Sequence, residues 1–492
     1  MPSPENIAKN TTYLTVALVV QKILSFFFFL FIAKTLGNGG TGEYVAAFSL
    51  SSIFGVFADF GLGPVLIREL AHDESKSVIY LGNIIAIKLW LSVIAFGALV
   101  GTVYAVRLLG GGHPPLALII VAGAVMIVDS FALTGTSVFR GRQNLWFESI
   151  VVILNKVLIL GLGLVALYLW PSALNVALTI LAGSIVSFFA LTYFLNRELH
   201  LSWRPRLNKI VILELKKLAL PFALANIFAA VYAYSDSVLL SFLKGSQAVG
   251  IYSVAAKTMN AFQFIPMAFM AAVFPAMSYY HRHAPERLRD IFEQSFRYLL
   301  LISAPLAIGL FVLADQFVAQ LGADYWPAAL AVRILVPSLV FVFLSFPLGA
   351  LLNAANRQHW QTAVIGLSMI INIGLNIWLI PALSYIGASW SWFITNAAVL
   401  LIGLWLARLV VAYRIWPLVK SLGRVLVSVA VMGWATLAMT AFMPLLLVVL
   451  LSGIIYTAGL FALRELSLAD VQYFWGLFHR REAELITVSS SE

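Results

Sequence analysis

Residues 12–36 read TYLTVALVVQKILSFFFFLFIAKTL, an apolar stretch that carries Lys22 near its middle and Lys34 near its end. About 20 apolar residues in a helix are enough to cross the hydrocarbon core of a bilayer. The stretch is longer than the apolar part of a signal peptide, and no small-residue cleavage site follows it. We therefore predict an uncleaved first transmembrane helix with a charged group inside the membrane.

The same kind of stretch recurs along the whole chain. Of its 492 residues, 62% are hydrophobic and 11% are charged, whereas about a quarter of a soluble domain is charged. We predict an all-α membrane protein with about fourteen transmembrane helices, near residues 12–36, 44–67, 78–106, 115–138, 149–170, 172–195, 218–243, 249–278, 291–314, 329–353, 361–381, 386–412, 421–441 and 445–463. The absence of cysteine excludes disulfides, thiol catalysis and Cys-based zinc sites.

Lysine and arginine are concentrated in the loops on one side of the predicted membrane. The opposite side holds only Lys34, Arg107, Lys244 and Arg333. Because cytoplasmic loops carry the excess of basic residues, both termini and the basic segment 196–217 are predicted to be cytoplasmic. We expect a multi-pass protein of the plasma (inner) membrane. The net charge of +10 is then mainly a topology signal, and no nucleic acid partner is expected.

Two pairs of short motifs suggest an internal duplication. Gly42-Glu43-Tyr44 opens the second span and Gly250-Ile251-Tyr252 the eighth, while Arg140-Gly141-Arg142-Gln143 follows the fourth span and Asn356-Arg357-Gln358 the tenth. The motifs of each pair lie about 210 positions apart, which predicts two six-helix lobes in parallel pseudo-repeat. The predicted divisions are an N-terminal lobe (1–200), a basic cytoplasmic linker (201–217), a C-terminal lobe (218–412), two additional spans (413–464) and an amphipathic cytoplasmic tail (465–492).

Seven charged side chains lie well inside predicted spans: Lys22, Lys88, Lys156, Lys257, Asp59, Asp129 and Asp236. Each would cost roughly 2.5–3.5 kcal/mol at the centre of a bilayer, so these groups are expected to face the protein interior. Asn226, Asn260 and Asn372 lie on polar stripes of the seventh, eighth and eleventh spans. We predict that the four lysines and these three asparagines bind substrate, and that the three aspartates are candidates for ion coupling.

A structural role for the same charges remains open at this point. Asp59 could pair with Lys22 or with Lys88, and Asp236 could pair with Lys257, which would simply hold the bundle together. No catalytic constellation, Walker motif or acidic metal motif is present, and the predicted outer loops are short. The sequence therefore predicts a protein that is not an enzyme and that needs no cofactor or metal.

Four segments carry a resemblance to a known family: Ala33-Lys34-Thr35-Leu36-Gly37 through Gly42-Glu43-Tyr44, Asp59-Phe60-Gly61-Leu62 followed by Arg68-Glu69, Phe139-Arg140-Gly141-Arg142-Gln143, and Pro266 through Phe274-Pro275-Ala276-Met277-Ser278. In this order and spacing, the chain resembles the polysaccharide and O-antigen (Wzx-type) flippases of the multidrug/oligosaccharidyl-lipid/polysaccharide exporter superfamily. The likeness covers about residues 5–460.

The resemblance implies that the two six-helix lobes surround a central cavity, that access to it alternates, and that the substrate is a lipid-linked oligosaccharide. It would be carried on a polyprenyl (pyro)phosphate from the cytoplasmic to the outer leaflet, with membrane lipids around the protein and polysaccharide polymerase or assembly proteins as candidate partners. Three alternatives remain open: a lipid II flippase, a cation-coupled multidrug exporter of the same superfamily, and, in a different class, a membrane-embedded sugar polymerase or ligase.

Overall fold

The computed structural model describes residues 4–467, with side chains from Val16 onward, and this part of the chain contains helices but no strand. The α-helices are α1 (Pro4–Asp59), α2 (Leu62–His72), α3 (Ser77–Leu108), α4 (Leu116–Gly141), α5 (Leu145–Leu169), α6 (Ala173–Leu199), α7 (Lys209–Lys244), α8 (Ser246–Ala261), α9 (Phe264–His283), α10 (Pro285–Val312), α11 (Ala314–Ala319), α12 (Ala328–Leu335), α13 (Ser338–Ala354), α14 (Gln358–Leu383), α15 (Tyr385–Arg408), α16 (Ile415–Met439) and α17 (Leu445–Ala462). Of the predicted amphipathic tail, residues 468–492 lie outside the described residues.

The number of spans agrees with the prediction once two helices are considered individually. Twelve helical stretches of the described chain are long and apolar enough to cross a membrane. One of them lies in α1, which is two helices joined at Gly37, where the backbone turns to φ 65° and ψ −176°. The helix α7 adds another span, because its 36 residues exceed the length that a membrane requires. The prediction of an all-α membrane protein with about fourteen transmembrane helices is therefore confirmed.

Three spans are interrupted where the sequence predicted continuous helices. The second span breaks between α1 and α2 at Phe60 and Gly61, both of which have positive φ. The eighth is divided into α8 and α9, and the tenth into α12 and α13, where Pro337 begins the second piece. Proline lacks the backbone donor that would continue the hydrogen-bond ladder, which accounts for the last break.

The backbone repeats unusual conformations at corresponding places in the two halves. Gly37 (φ 65°, ψ −176°) follows the first span, and Gly245 (φ 84°, ψ 178°) follows the seventh. Gln143 (φ 57°) follows the fourth span, and Asn356 (φ 58°) follows the tenth. The members of each pair lie about 210 positions apart, as do the sequence motifs that suggested a duplication.

The helix α7 is shared between the two halves of the chain. Near its beginning, Leu215 and Ala219 are buried in an apolar cluster made largely of residues from α2, α3 and α4. Gly61 touches α7 directly, because a Cβ there would lie 2.7 Å from the Ala219 carbonyl oxygen. Further along α7, Leu240 belongs to the large core that packs α8, α10, α12 and α13 together. The first turns of α7 thus pack on the N-terminal half. Its last turns pack on the C-terminal core and also contact the N-terminal half, where Gly112 N donates to the Phe242 carbonyl oxygen at 3.0 Å.

The two final helices are fixed to the second half by a charged cluster. Directly after α17, Glu465 accepts hydrogen bonds from Arg297 Nε of α10 at 2.8 Å, from Ser421 Oγ of α16 at 2.6 Å and from Arg424 Nη1 at 3.1 Å. The Glu465 side chain is 4% exposed. This carboxylate therefore joins α10, α16 and the chain segment that follows α17.

Candidate functional site

Three of the four predicted lysines come together between the two halves of the chain. Lys22 lies on the first half of α1, Lys156 on α5 and Lys257 on α8. Lys257 interacts electrostatically with both Lys22 and Lys156, and Lys22 also acts on Lys156. We call these three residues the lysine cluster. The sequence placed all three inside spans, and the fold brings them from both halves to one place.

The lysine cluster is not sealed inside the packed helices. Lys257 is exposed, although Ala255, Thr258 and Met259 beside it on α8 are buried. Lys22 is also exposed, and Lys156 is half-buried. None of the three makes an ion pair within the described part of the chain. An anionic group that reached the three lysines would therefore meet an excess of positive charge.

One predicted carboxylate lies beside the lysine cluster. Asp129 of α4 is exposed and interacts with Lys156 and with the Ser184 hydroxyl of α6. Ser184 was missed by the sequence analysis, because a serine in a helix carries no signal beyond its polarity. Asp129 thus lies beside Lys156, the lysine of the cluster that α5 contributes.

Lys88 and Asp59 are located elsewhere and are paired with each other. Lys88 Nζ lies 2.7 Å from Asp59 Oδ1 and donates a hydrogen bond to the Ser130 carbonyl oxygen at 2.7 Å. The Lys88 side chain has no exposed surface. The sequence left open whether Asp59 pairs with Lys22 or with Lys88, and the structure shows the pair with Lys88. In this conformation Lys88 is closed to any ligand, in contrast to the lysine cluster.

Asp236 is the centre of a buried polar network. Tyr252 Oη donates to Asp236 Oδ2 at 2.6 Å, and Asn376 Nδ2 donates to Asp236 Oδ1. Asn372 Oδ1 accepts from Asn376 Nδ2 at 2.9 Å and from Ser235 Oγ at 2.8 Å. These five residues from α7, α8 and α14 form what we call the Asp236 network. Asn372, predicted to bind substrate, is fully buried in this network.

The ion pair between Asp236 and Lys257 that the sequence suggested does not form among the described residues, and this interpretation is wrong. Five positions separate Tyr252 from Lys257 on α8, which corresponds to about 140° around the helix axis. Tyr252 points towards Asp236, and Lys257 consequently points towards the other lysines. The sequence predicts a polar face on both helices, but it cannot orient one helix relative to the other.

The remaining predicted asparagines lie on half-buried surfaces. Asn226 is half-buried on α7, and Asn260 near the end of α8 accepts a hydrogen bond from Gln263 Nε2 at 2.8 Å. An aromatic pair that the sequence analysis missed lies near the Asp236 network: the rings of Tyr232 and Trp392 stack at 5.3 Å with an interplanar angle of 5°. Tyr232 Oη and Trp392 Nε1 are both buried and have no hydrogen-bond partner in the described chain.

The two halves are in close contact at one end of the bundle, which we call the outer end in keeping with the predicted orientation. A Cβ on Gly250 of α8 would overlap the Asn38 carbonyl oxygen of α1. Tyr325 Oη donates to Thr41 Oγ1 at 2.9 Å, and burial raises the pKa of Tyr325 to about 12. Asn38 Nδ2 donates to the Asp324 carbonyl oxygen at 3.0 Å. Backbone contact and hydrogen bonds therefore close this end.

A solved structure has the same fold as this chain. The lipid II flippase MurJ, in an inward closed conformation, aligns with a TM-score of 0.72 over 96% of this chain and 99% of its own, at 16% identity. The similarity at this level of identity concerns the fold alone.

The relatives found by sequence include a membrane protein and a putative transporter. The uncharacterised membrane protein MJ1375 of Methanocaldococcus jannaschii is 19% identical over 81% of this chain and 97% of its own length. A putative O-antigen transporter of Shigella flexneri is 24% identical over 56% of this chain and 67% of its own length.

Two family models match the chain. The model described as MatE matches residues 221–378, and the model described as polysaccharide biosynthesis protein matches residues 7–281, which is more than half of the chain. The chain therefore belongs to the polysaccharide biosynthesis protein family, among the Wzx-type polysaccharide flippases of the multidrug/oligosaccharidyl-lipid/polysaccharide exporter superfamily.

Proposed function

We propose that this protein moves a polyprenyl-(pyro)phosphate-linked oligosaccharide from the cytoplasmic to the outer leaflet of the plasma (inner) membrane by alternating access. The observation that carries the proposal is the lysine cluster, in which Lys22, Lys156 and Lys257 meet without an ion-pair partner among the described residues. Phosphate groups are the natural counter-ions for such a cluster, since three ammonium groups attract a compact anion strongly in a partly enclosed space.

The energetic problem of this transport lies in the sugar. Each hydroxyl that enters hydrocarbon without a hydrogen-bond partner costs roughly 2–7 kcal/mol, so several sugars raise a barrier of tens of kcal/mol. The half-buried Asn226 and Asn260 supply partners for sugar hydroxyls. The polyprenyl chain would stay in the bilayer while the headgroup crosses through the protein.

The closed outer end fits one half of such a transport cycle. With Asn38, Thr41 and Gly250 sealing one side, a headgroup would enter from the other, and separation of these contacts would release it. In this proposal the N-terminal lobe (1–200) and the C-terminal lobe (218–412) rock about the lysine cluster, and both termini lie in the cytoplasm. The protein performs no chemistry on its substrate and hands it to polysaccharide polymerase or assembly proteins.

Ion coupling is assigned to the Asp236 network rather than to Asp59. Asp59 is neutralised by Lys88, whereas Asp236 has no cationic partner in the described chain and is surrounded by oxygen and amide groups. Burying a carboxylate without a counter-charge is costly even where two hydrogen bonds stabilise it, and uptake of a proton or a cation would remove that cost. Asp129, which lies beside Lys156, remains the second candidate.

The test is a flipping measurement in proteoliposomes. The substrate would be a fluorescent polyprenyl-pyrophosphate disaccharide, and the fraction protected from a membrane-impermeant quencher reports translocation. We expect Lys22→Gln, Lys156→Gln and Lys257→Gln each to slow flipping about 10-fold or more, because each removes a charge that faces the pyrophosphate. Arginine at the same positions retains the charge and should preserve more activity than glutamine.

Three outcomes of this assay would contradict the proposal. Lipid II with the same fluorophore is measured in parallel, since its preferential transport would replace the proposed substrate by a peptidoglycan precursor. Normal flipping by all three glutamine variants would show that the lysine cluster does not carry the headgroup. Release of a modified sugar during the assay would instead indicate the polymerase or ligase class.

A further inference from the structure

A second group of positive charges lies on the linker and the first turns of α7. Its members are exposed, and none makes an ion pair within residues 16–467: Arg204, Arg206, Lys209, Lys216 and Lys217. Glu214 is the one acidic residue of segment 201–220, and it accepts a hydrogen bond from Tyr80 Oη at 2.9 Å. We call this surface the basic linker face. The five cations of this surface thus outnumber its single anion.

Apolar side chains are exposed on the same surface. Leu207 is 77% exposed, Ile210 79% and Leu213 58%. On α7, Ile210, Leu213 and Lys217 follow one another at intervals of three and four residues, which places them on one side of the helix. A helix side that combines exposed leucine and isoleucine with lysine is typical of protein surfaces at the boundary between headgroups and acyl chains.

The opposite side of this segment is held firmly by the N-terminal half. Leu215 and Ala219 are fully buried. Arg206 N donates to the Gly82 carbonyl oxygen at 2.9 Å, and Asn208 N donates to Asn83 Oδ1 at 2.8 Å. The backbone of the linker is therefore held against α3, and the basic side chains project from it.

The length of α7 carries its first turns out of the hydrocarbon core, on the headgroup side of the membrane. Its 36 residues extend about 54 Å at 1.5 Å per residue, while the hydrocarbon core is about 30 Å thick. Because Lys244 ends the helix at the outer end, the surplus lies at the inner end, which includes Lys209, Lys216 and Lys217. In the proposed orientation this is the cytoplasmic leaflet, which carries the anionic lipids.

We propose that the basic linker face binds the headgroups of anionic phospholipids in the cytoplasmic leaflet. Lipid phosphates accept hydrogen bonds from Lys209, Lys216 and Lys217, and Leu213 packs among the upper acyl carbons. A soluble polyanion would satisfy the cations but would leave the leucine and isoleucine side chains in water, so the mixed surface selects a lipid. The assignment to one leaflet follows the proposed topology, and the binding itself does not depend on which substrate is flipped.

The experiment uses a single fluorophore in the full chain. The protein has no cysteine, so Leu213→Cys allows one dye to be attached at the basic linker face. The labelled protein is placed in phosphatidylcholine nanodiscs that contain increasing fractions of brominated phosphatidylglycerol or brominated phosphatidylcholine as quencher. We expect half-maximal quenching at a several-fold lower fraction of the phosphatidylglycerol, and this preference should weaken in high salt.

The matched variant is Lys209→Gln/Lys216→Gln/Lys217→Gln on the same labelled background, in which the preference for phosphatidylglycerol should fall to near one. Lys34→Gln/Arg107→Gln removes exposed charges at the outer end and should leave the preference unchanged. Unfolding temperatures in phosphatidylcholine verify that both variants fold.

Equal quenching by both lipids in the wild type, or a preference that survives the triple substitution, would overturn the proposal. Because the measurement involves no transport, its outcome is independent of the flipping assay.

Discussion

Gly42 of α1 and Gly250 of α8 meet backbone to backbone at the outer end of the bundle. A Cβ on Gly42 would lie 2.8 Å from the Gly250 nitrogen and would overlap the Ser246 carbonyl oxygen. Helices approach this closely only where both lack side chains. The two glycines therefore determine how tightly the two halves close.

We expect Gly250→Ala to weaken the closed outer end, because the added methyl group cannot fit against the Asn38 carbonyl oxygen. Lys257→Cys in this background should react several-fold faster with a membrane-impermeant thiol reagent added outside intact cells. Gly39→Ala is the matched control, since a Cβ at Gly39 meets nothing within 4 Å. Equal labelling rates in the two alanine variants would show that the glycine contact does not control access.

Lys88→Gln should affect folding rather than transport. The substitution leaves Asp59 buried without its cation, and breaking a buried ion pair costs about 3–5 kcal/mol. We expect a lower unfolding temperature and less folded protein in the membrane. The double variant Lys88→Met/Asp59→Asn should recover much of the loss, because it removes both charges. A stable Lys88→Gln protein that fails to flip would instead assign Lys88 a role in substrate binding.

Asp236→Asn should separate coupling from binding. The substitution removes the charge but keeps an oxygen that can accept from Tyr252 Oη. In vesicles, we expect the variant to retain substrate binding and to lose the response of flipping to an imposed proton or sodium gradient. Tyr252→Phe keeps the carboxylate and should preserve the response in part. If wild-type flipping ignores both gradients, transport runs downhill on product removal and no aspartate is a coupling site.

The proposed topology can be tested with single cysteines. Ser202→Cys lies on the linker and should react with an impermeant thiol reagent only after the cells are permeabilised. Leu109→Cys, at a position that is 86% exposed after α3, should react in intact cells. Labelling of Ser202→Cys from outside intact cells would reverse the orientation on which the leaflet assignment depends.

Composition and periodicity were sufficient to predict the helical membrane fold. The seven charges that they placed inside spans all lie on helices of the structure. They also gave polar faces to the helices of Lys22 and Lys257, which the fold brings together. They did not predict the partner of Asp236, because the rotation of α8 relative to α7 is set by packing. The breaks at Phe60 and Gly61 were missed for a similar reason: Gly61 is required by the close approach of α7, and a single sequence contains no signal for that contact.

The double attachment of α7 has a mechanical consequence. Its first turns are bound to the N-terminal half through Gly61 and Ala219, and its last turns to the C-terminal half through Asp236 and Leu240. Two halves joined by one continuous helix cannot move apart freely, because every displacement must either bend α7 or detach one of its ends. Pro221, at the end of the first attachment, is the position where bending is least costly. The helix thus reduces the relative motion of the two halves from many degrees of freedom to a few.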